Sequence, residues 1–275
     1  MNLKSFSISG SQDKPIHIDF FDPENRENSA LVIFAHGFKG FKDWGTHDLV
    51  GRYFARHGFS FLKFNFSHAG IGSGKGDTFD DLNAFSQNTF SRELFDLDQL
   101  ITFCQSGKEF TKPDKIFLIG HSLGGAMCII QASEDKRVDK LATWAAVSNL
   151  RHLWTNEQEV QWREDGVMYI TNTRTNQQMP LGMAILDDLT HHPERLDILN
   201  AARSITQPWL IVHGEADPTV PVEQAEELSR QQELGRLLLI PEADHVFNAR
   251  HPWNENELPR KLQEVCDSTI SFFKE

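Results

Sequence analysis

A chain of 275 residues is long enough for one large domain with a sizeable core, and its formal net charge of −12 repels polyanions, which argues against a nucleic-acid partner. Hydrophobic residues at 39% and charged residues at 24% fit an ordinary soluble globular protein, and no apolar run approaches the roughly 20 residues that span a bilayer, so no membrane partner is expected. Phe is abundant at 21 residues against two Tyr, which predicts an aromatic-rich core.

The first residues, Met1 to Phe6, contain no apolar stretch and no small-residue cleavage site, so a cytoplasmic protein is expected. Ser5 to Phe21 reads as two short strands around the Ser-Gly-Ser-Gln-Asp turn. Leu31 to Ala35 is a continuous apolar run, the signature of a strand covered on both faces. A helix from about Trp44 to His57 follows, stopped by Gly58, and Phe59 to Phe64 is the next strand. Beyond Thr89, the spacing of Phe90, Leu94, Leu97, Ile101 and Cys104 predicts an amphipathic helix.

Lys115 to Ile119 is another buried strand, leading into a helix from Ser122 to about Ala132. Strands are expected at Leu141 to Val147, Trp209 to Val212 and Leu237 to Ile240. A last helix carries Leu258, Leu262, Val265 and Cys266. Strands alternating with helices predict an α/β fold with a mostly parallel, doubly covered sheet. Ser148 to Ser204 breaks the alternation and shows no clean strand. It is too long for a plain connection and reads as an inserted lid (148–204) in a core formed by 1–147 and 205–275.

Gly120-His121-Ser122-Leu123-Gly124 is a G-x-S-x-G pattern directly between a strand and an apolar helix. A serine at such a turn is held in a strained conformation, and small flanking residues let the backbone pass close by. The helix N-terminus aims N–H groups and a positive dipole at the place where an oxyanion develops. With this context Ser122 is a candidate nucleophile; the pattern alone is common by chance, and the alternative for Ser122 is an N-cap on an ordinary helix.

At this point the sequence resembles the α/β-hydrolase superfamily, whose triad runs Ser, acid, His along the chain. The resemblance places Asp217, in His213-Gly214-Glu215-Ala216-Asp217-Pro218, as the acid, with Glu215 and Asp244 as rivals. It places His245, in Pro241-Glu242-Ala243-Asp244-His245-Val246-Phe247, as the base, with His213 and His251 as competitors. His36-Gly37-Phe38 matches the family's H-G-x element. That implies an oxyanion hole formed by the backbone N–H groups of Phe38 and Leu123.

The segments His36 to Trp44 and Phe64 to Gly70 are similar to the branch that holds cinnamoyl and feruloyl esterases, dienelactone-hydrolase-like and serine-aminopeptidase-like proteins. Lids in that branch lie where Ser148 to Ser204 lies. Trp154, Trp162, Met168, Tyr169 and Met179, with Met183, are therefore expected to line an apolar substrate pocket or else to form the lid's own core. The expected activity is hydrolysis of a small-molecule carboxylic ester with a short or aromatic acyl group. A peptidase or acyl-peptide hydrolase is the second reading, with Glu157, Glu159, Glu164 and Asp165 as groups that recognise an amino terminus. A non-catalytic ligand cup is the third.

Other features are set aside. Gly70 to Gly76 lacks the spacing and the Ser or Thr of a phosphate-binding loop and reads as a surface loop. Adjacent His191 and His192 rarely converge on one ion. Glu223, Glu226 and Glu227 read as a helix's solvent face. Three scattered cysteines, Cys104, Cys128 and Cys266, predict buried, reduced thiols. No metal and no cofactor are implied.

Overall fold

The apolar runs become the middle of a single eight-stranded sheet. The computed structural model describes residues 2–24, 30–72, 78–172 and 175–275. The chain begins with β1 (Asn2–Ser9), β2 (Pro15–Asp22), β3 (Ala30–Ala35), α1 (His47–Arg56) and β4 (Ser60–Asn65). It continues through α2 (Leu82–Ser86), α3 (Phe90–Ser106), β5 (Lys115–His121), α4 (Leu123–Glu134) and β6 (Val138–Trp144). Between β6 and its sheet neighbour β9 (Trp209–Gly214) lie α5 (Asn156–Asp165), β7 (Val167–Asn172), β8 (Gln177–Gly182), α6 (Ala184–His191) and α7 (Ile198–Ser204). The chain closes with α8 (Val222–Ser229), β10 (Gly235–Ile240) and α9 (Arg260–Lys274).

The strand order is β1-β2-β4-β3-β5-β6-β9-β10. β1 and β2 form an antiparallel pair, β2 meets β4 antiparallel, and the remaining neighbours are parallel. Alternation along each strand feeds two cores. Ile33, Leu62 and Leu118 join Leu97, Ile101 and Ile129 from α3 and α4 on one face. Val32, Phe61 and Phe117 join Phe54 of α1 and Val265 and Phe273 of α9 on the other. Cys104, Cys128 and Cys266 are free thiols inside these layers, and burial raises the pKa of each.

Two expectations are corrected. β6 begins at Val138 and ends at Trp144 rather than spanning 141–147, because Ala145 adopts φ 50°, which a pleated strand does not accommodate. The stretch 148–204 does contain strands: β7 and β8 pair as a separate antiparallel hairpin, with Ile170 opposite Met179 and Tyr169 opposite Pro180. Polar Thr171, Asn172, Gln177 and Gln178 hide the alternation, and a proline is tolerated because each strand of a two-stranded sheet is an edge. The loop expected at Gly70 to Gly76 falls largely outside the described residues. Among those residues, no helix is long and apolar enough to cross a membrane.

Candidate active site

β5 runs into α4 with no intervening loop, and the reversal falls on a single residue. Ser122 has φ 56° and ψ −120°, a region that a side chain enters only under constraint. The constraint is steric closeness on both sides. A Cβ on Gly120 would lie 2.3 Å from the Gly124 carbonyl oxygen, and one on Gly124 would lie 2.4 Å from the carbonyl oxygens of Ala35 and His36. The Ser122 N–H donates to the Trp144 carbonyl of β6 at 2.9 Å, which locks the turn to the sheet. The Ser122 carbonyl accepts from Gly125 and Ala126, so the first turn of α4 starts immediately.

The loop after β3 passes directly over this turn. A Cβ on Gly37 would sit 2.9 Å from the Ser122 Cβ. The His36 Nδ1–H donates to the Gly37 carbonyl at 2.9 Å, and burial lowers the pKa of its imidazole to about 4, so the ring is neutral near pH 7. The N–H of Phe38 has no backbone acceptor among the described residues, and Leu123 opens α4, where first-turn N–H groups have none within the helix. Two backbone donors thus flank the Ser122 turn.

The far end of that loop is anchored by buried charge. Lys42 Nζ donates to Asp19 at 2.7 Å and to Asp43 at 2.8 Å, while its backbone N–H donates to Asn65 Oδ1 at 2.6 Å. Lys63, fully buried on β4, bonds Asp43 and Asp48 at 2.8 Å each. Burial alone would drive the Lys63 pKa down, but Asp48 and Asp43 raise it above the usual lysine value. Asp19, Asp43 and Asp48 are close enough together to hold a cation, and the two ammonium groups already supply positive charge there.

β9 leads into the turn that carries Asp217, the candidate acid. Asp217 lies in the turn after Gly214, its side chain fully enclosed. Its Oδ1 accepts from the N–H groups of Thr219 (2.8 Å) and Val220 (2.9 Å). Its Oδ2 accepts from His245 Nδ1–H at 2.8 Å and lies 3.4 Å from His213 Nε2. Burial would raise the Asp217 pKa. Hydrogen bonds from His213, His245 and the Val220 N–H outweigh it and hold the carboxyl well below the usual range, hence ionised.

The rival candidates contact other groups. Buried His213 donates from Nε2 to the Val220 carbonyl at 2.8 Å. His251 Nδ1 accepts from the Gly45 N–H at 2.7 Å, beside Phe41 and Trp44. Asp244 caps the turn that presents His245, accepting from Val246 and Asn248 N–H at 3.0 and 2.7 Å. Glu215 is exposed.

A cavity of about 150 Å³ joins these parts. Ser122, His245 and Phe38 line it, together with His47, Trp144 and Phe247. None of the insertion residues singled out from the sequence is in its wall. Trp154 and Trp162 pack edge to face at 5.3 Å, both buried, and Met179 is fully buried with Met168 packed against the same core. Tyr169 is 61% exposed. Apart from Tyr169, these side chains join the apolar core on the α3 and α4 face of the sheet, so proximity in sequence does not bring them to the cavity. Residues that sequence reasoning missed, His47 and Trp144, come from α1 and β6; His47 carried no motif.

The sheet order, with β1 and β2 antiparallel ahead of a parallel block and a G-x-S-x-G turn after β5, defines an α/β-hydrolase. The prolyl oligopeptidase family pattern matches residues 52–264, and the chain belongs to that family. It is 26% identical to the uncharacterized protein YfhR of Escherichia coli K12 over 226 residues, covering 81% of this chain and 66% of YfhR, just under two thirds of its length. Est1E of Butyrivibrio proteoclasticus, solved with ferulic acid bound, superposes with a TM-score of 0.72 at 19% identity over 98% of both chains. A puromycin-hydrolyzing peptidase of Mycobacterium tuberculosis superposes with a TM-score of 0.69 at 17% identity, over 98% of this chain and 38% of that one.

Proposed function

We propose that this hydrolase cleaves carboxylic esters through a covalent acyl-enzyme on Ser122. The observation that carries the reading is the 2.8 Å bond between His245 and the enclosed carboxylate of Asp217, on the rim of the cavity that also holds the strained Ser122. In this reading the His245 Nε2 takes the Ser122 hydroxyl proton as Oγ bonds the ester carbonyl carbon. Asp217 fixes the Nδ1–H tautomer and stabilises the imidazolium. The N–H groups of Phe38 and Leu123 hold the oxyanion. Collapse expels the alcohol, which receives the proton from His245. Water then repeats the sequence against the acyl-enzyme and frees the acid.

An ester rather than a peptide substrate is supported by the cavity wall. Among the described residues that line it there is no carboxylate to hold an ammonium group, whereas Phe34, Trp144, Phe247 and Leu262 favour an apolar acyl or aryl group. Two acidic residues of the insertion point the same way. Glu159 is taken up by Arg151, Arg163 and Trp154, and the Glu157 carboxylate lies in open solvent. The segment 148–204 is read as a lid over the Ser122 end of the sheet.

Fluorophosphonate labelling of the wild type and of Ser122→Ala tests the nucleophile: labelling of the wild type only is expected, and equal labelling of both would defeat the assignment. A panel of p-nitrophenyl acyl esters and aminoacyl arylamides tests the substrate class. Faster turnover of the esters is expected, and turnover confined to the arylamides would replace this reading with a peptidase.

A further inference from the structure

The turn that carries Phe38 is strung between two fixed points. Upstream, β3 ends at Ala35, which pairs with Gly120 of β5. Within the turn the Gly40 N–H donates to the Gly37 carbonyl at 2.9 Å, and Lys39 is held at φ 56°, where a residue with a side chain is strained. Such a conformation persists only where the surrounding structure holds it. Downstream, that task falls to Lys42, two residues beyond Gly40.

Lys42 and Asp43 tie the loop to three other elements. Lys42 Nζ donates to Asp19 of β2 at 2.7 Å, and Asp43 accepts from Lys63 of β4 at 2.8 Å. Lys63 also pairs with Asp48 in the first turn of α1 at 2.8 Å and lies 3.3 Å from Asp19. With Arg52 on Asp48, the cations Lys42, Lys63 and Arg52 balance the carboxylates Asp19, Asp43 and Asp48. Asn65 of β4 adds a neutral tie. It is 1% exposed, its Oδ1 accepts from the Lys42 backbone N–H at 2.6 Å, and its Nδ2 has no partner among the described residues. The side chains of Lys42, Lys63 and Asp19 are buried, and buried charges are often no more stabilising than apolar groups of the same volume. What directional bonds add, and apolar contact does not, is one defined position for the loop they hold.

We propose that Lys42, Asp43, Lys63 and Asn65 are positioning residues that act through the Gly37–Gly40 turn and fix the Phe38 N–H against the reacting carbonyl oxygen. This rests on the ester-hydrolase reading, in which that N–H holds the oxyanion. Loosening the anchor lets the donor drift from the place where charge develops, which weakens binding of the transition state more than binding of the ester. The signature is a kcat lower by about 10- to 100-fold with KM changed by less than about threefold.

Lys42→Met and Asn65→Ala test it, with Lys42→Arg as the conservative variant. Asn65→Ala removes a tie without leaving a charge unpaired, so it reports even where Lys42→Met does not fold. Phe273→Ala is the control for lost stability, since Phe273 packs on Phe59 and Phe117 towards the starting ends of β4 and β5, away from the loop. Kinetics on a p-nitrophenyl ester are measured at a temperature where circular dichroism shows each protein folded. A trifluoromethyl ketone, whose oxygen becomes the oxyanion when serine adds to it, supplies an inhibition constant. In Lys42→Met, and to a smaller degree in Asn65→Ala, kcat should fall and the inhibition constant should rise by the same factor while KM holds. Lys42→Arg should restore part of both, and Phe273→Ala should lower Tm with neither change. Unchanged kcat and inhibition in Asn65→Ala, or losses in Phe273→Ala equal to those in Lys42→Met, overturn the proposal while wild-type ester turnover upholds the parent reading. Absence of both ester turnover and Ser122 labelling in the wild type overturns the two together.

Discussion

His121 Nε2–H donates to the backbone carbonyl of His245 at 2.8 Å, so the residue before Ser122 holds the loop that carries the proposed base. Burial and the neighbouring His245 lower the pKa of the His121 imidazole to about 3, which keeps it neutral and its Nε2 proton in place through the working pH range. The two rings stand 4.8 Å apart. His121→Phe should preserve the packing and lose the tether. A fall in kcat of roughly 10- to 100-fold with KM little changed is expected, as for a misplaced catalytic group, and steady-state kinetics on a p-nitrophenyl ester decides it. An unchanged kcat would mean that the tether is only structural.

Asp217 is bound on both oxygens, by backbone N–H groups on one and by His245 on the other. Asp217→Asn keeps the shape but removes the charge and allows the wrong His245 tautomer. For the proposed triad the expected cost is roughly 10⁴-fold in kcat. Circular dichroism should show the fold intact, and kcat should fall by that order. Retention of most of the activity would return Asp244 to consideration.

The Ser122 turn tolerates no extra carbon at its flanks. Gly124→Ala would drive a Cβ to 2.4 Å from two backbone carbonyl oxygens of the β3 end. Because those atoms lie at the end of a central strand, the clash is relieved only by moving α4 or the loop after β3. A loss of about 3 kcal/mol in a urea melt is expected, along with lost labelling of Ser122. A variant as stable and reactive as the wild type would show that the turn has more room than its geometry indicates.

Glu93, buried in the first turn of α3, has Oε1 accepting from Asn88 at 2.7 Å and Oε2 without a partner among the described residues. Burial raises its pKa to about 8; the Asn88 bond opposes that rise, and Asp96 and Asp188 add to it. The folded state therefore keeps a proton that the unfolded state has lost above its ordinary pKa of 4.5. Stability attributable to this group falls as pH climbs from about 4.5 to about 8 and then levels. Glu93→Gln should remove that slope and melt higher than the wild type at pH 8. Parallel Tm-against-pH curves for the two proteins would contradict it.

The layout of the core was readable along the chain. Runs such as Leu31 to Ala35 and Lys115 to Ile119 announce covered strands, and the 3.6-residue spacing after Thr89 announces α3, because these patterns follow from each residue's own sterics and its nearest neighbours. The position of Ser122 between β5 and α4 was readable for the same reason. The β7–β8 hairpin was not, since a small, largely solvated two-stranded sheet does not require strict apolar alternation.

What tertiary structure alone decided is partnership. Which carboxylate meets His245 depends on the register of β9 against β10, which brings residues 28 positions apart to 2.8 Å. The sequence offered Asp217, Glu215 and Asp244 without ranking their distances. The tether from His121 to His245 crosses 124 positions, and the walls of the Ser122 cavity come from α1, β3, β6 and α9 rather than from the aromatic insertion. Periodicity reports which face of an element is buried, but only the closing of the long loops between elements determines what that face is buried against.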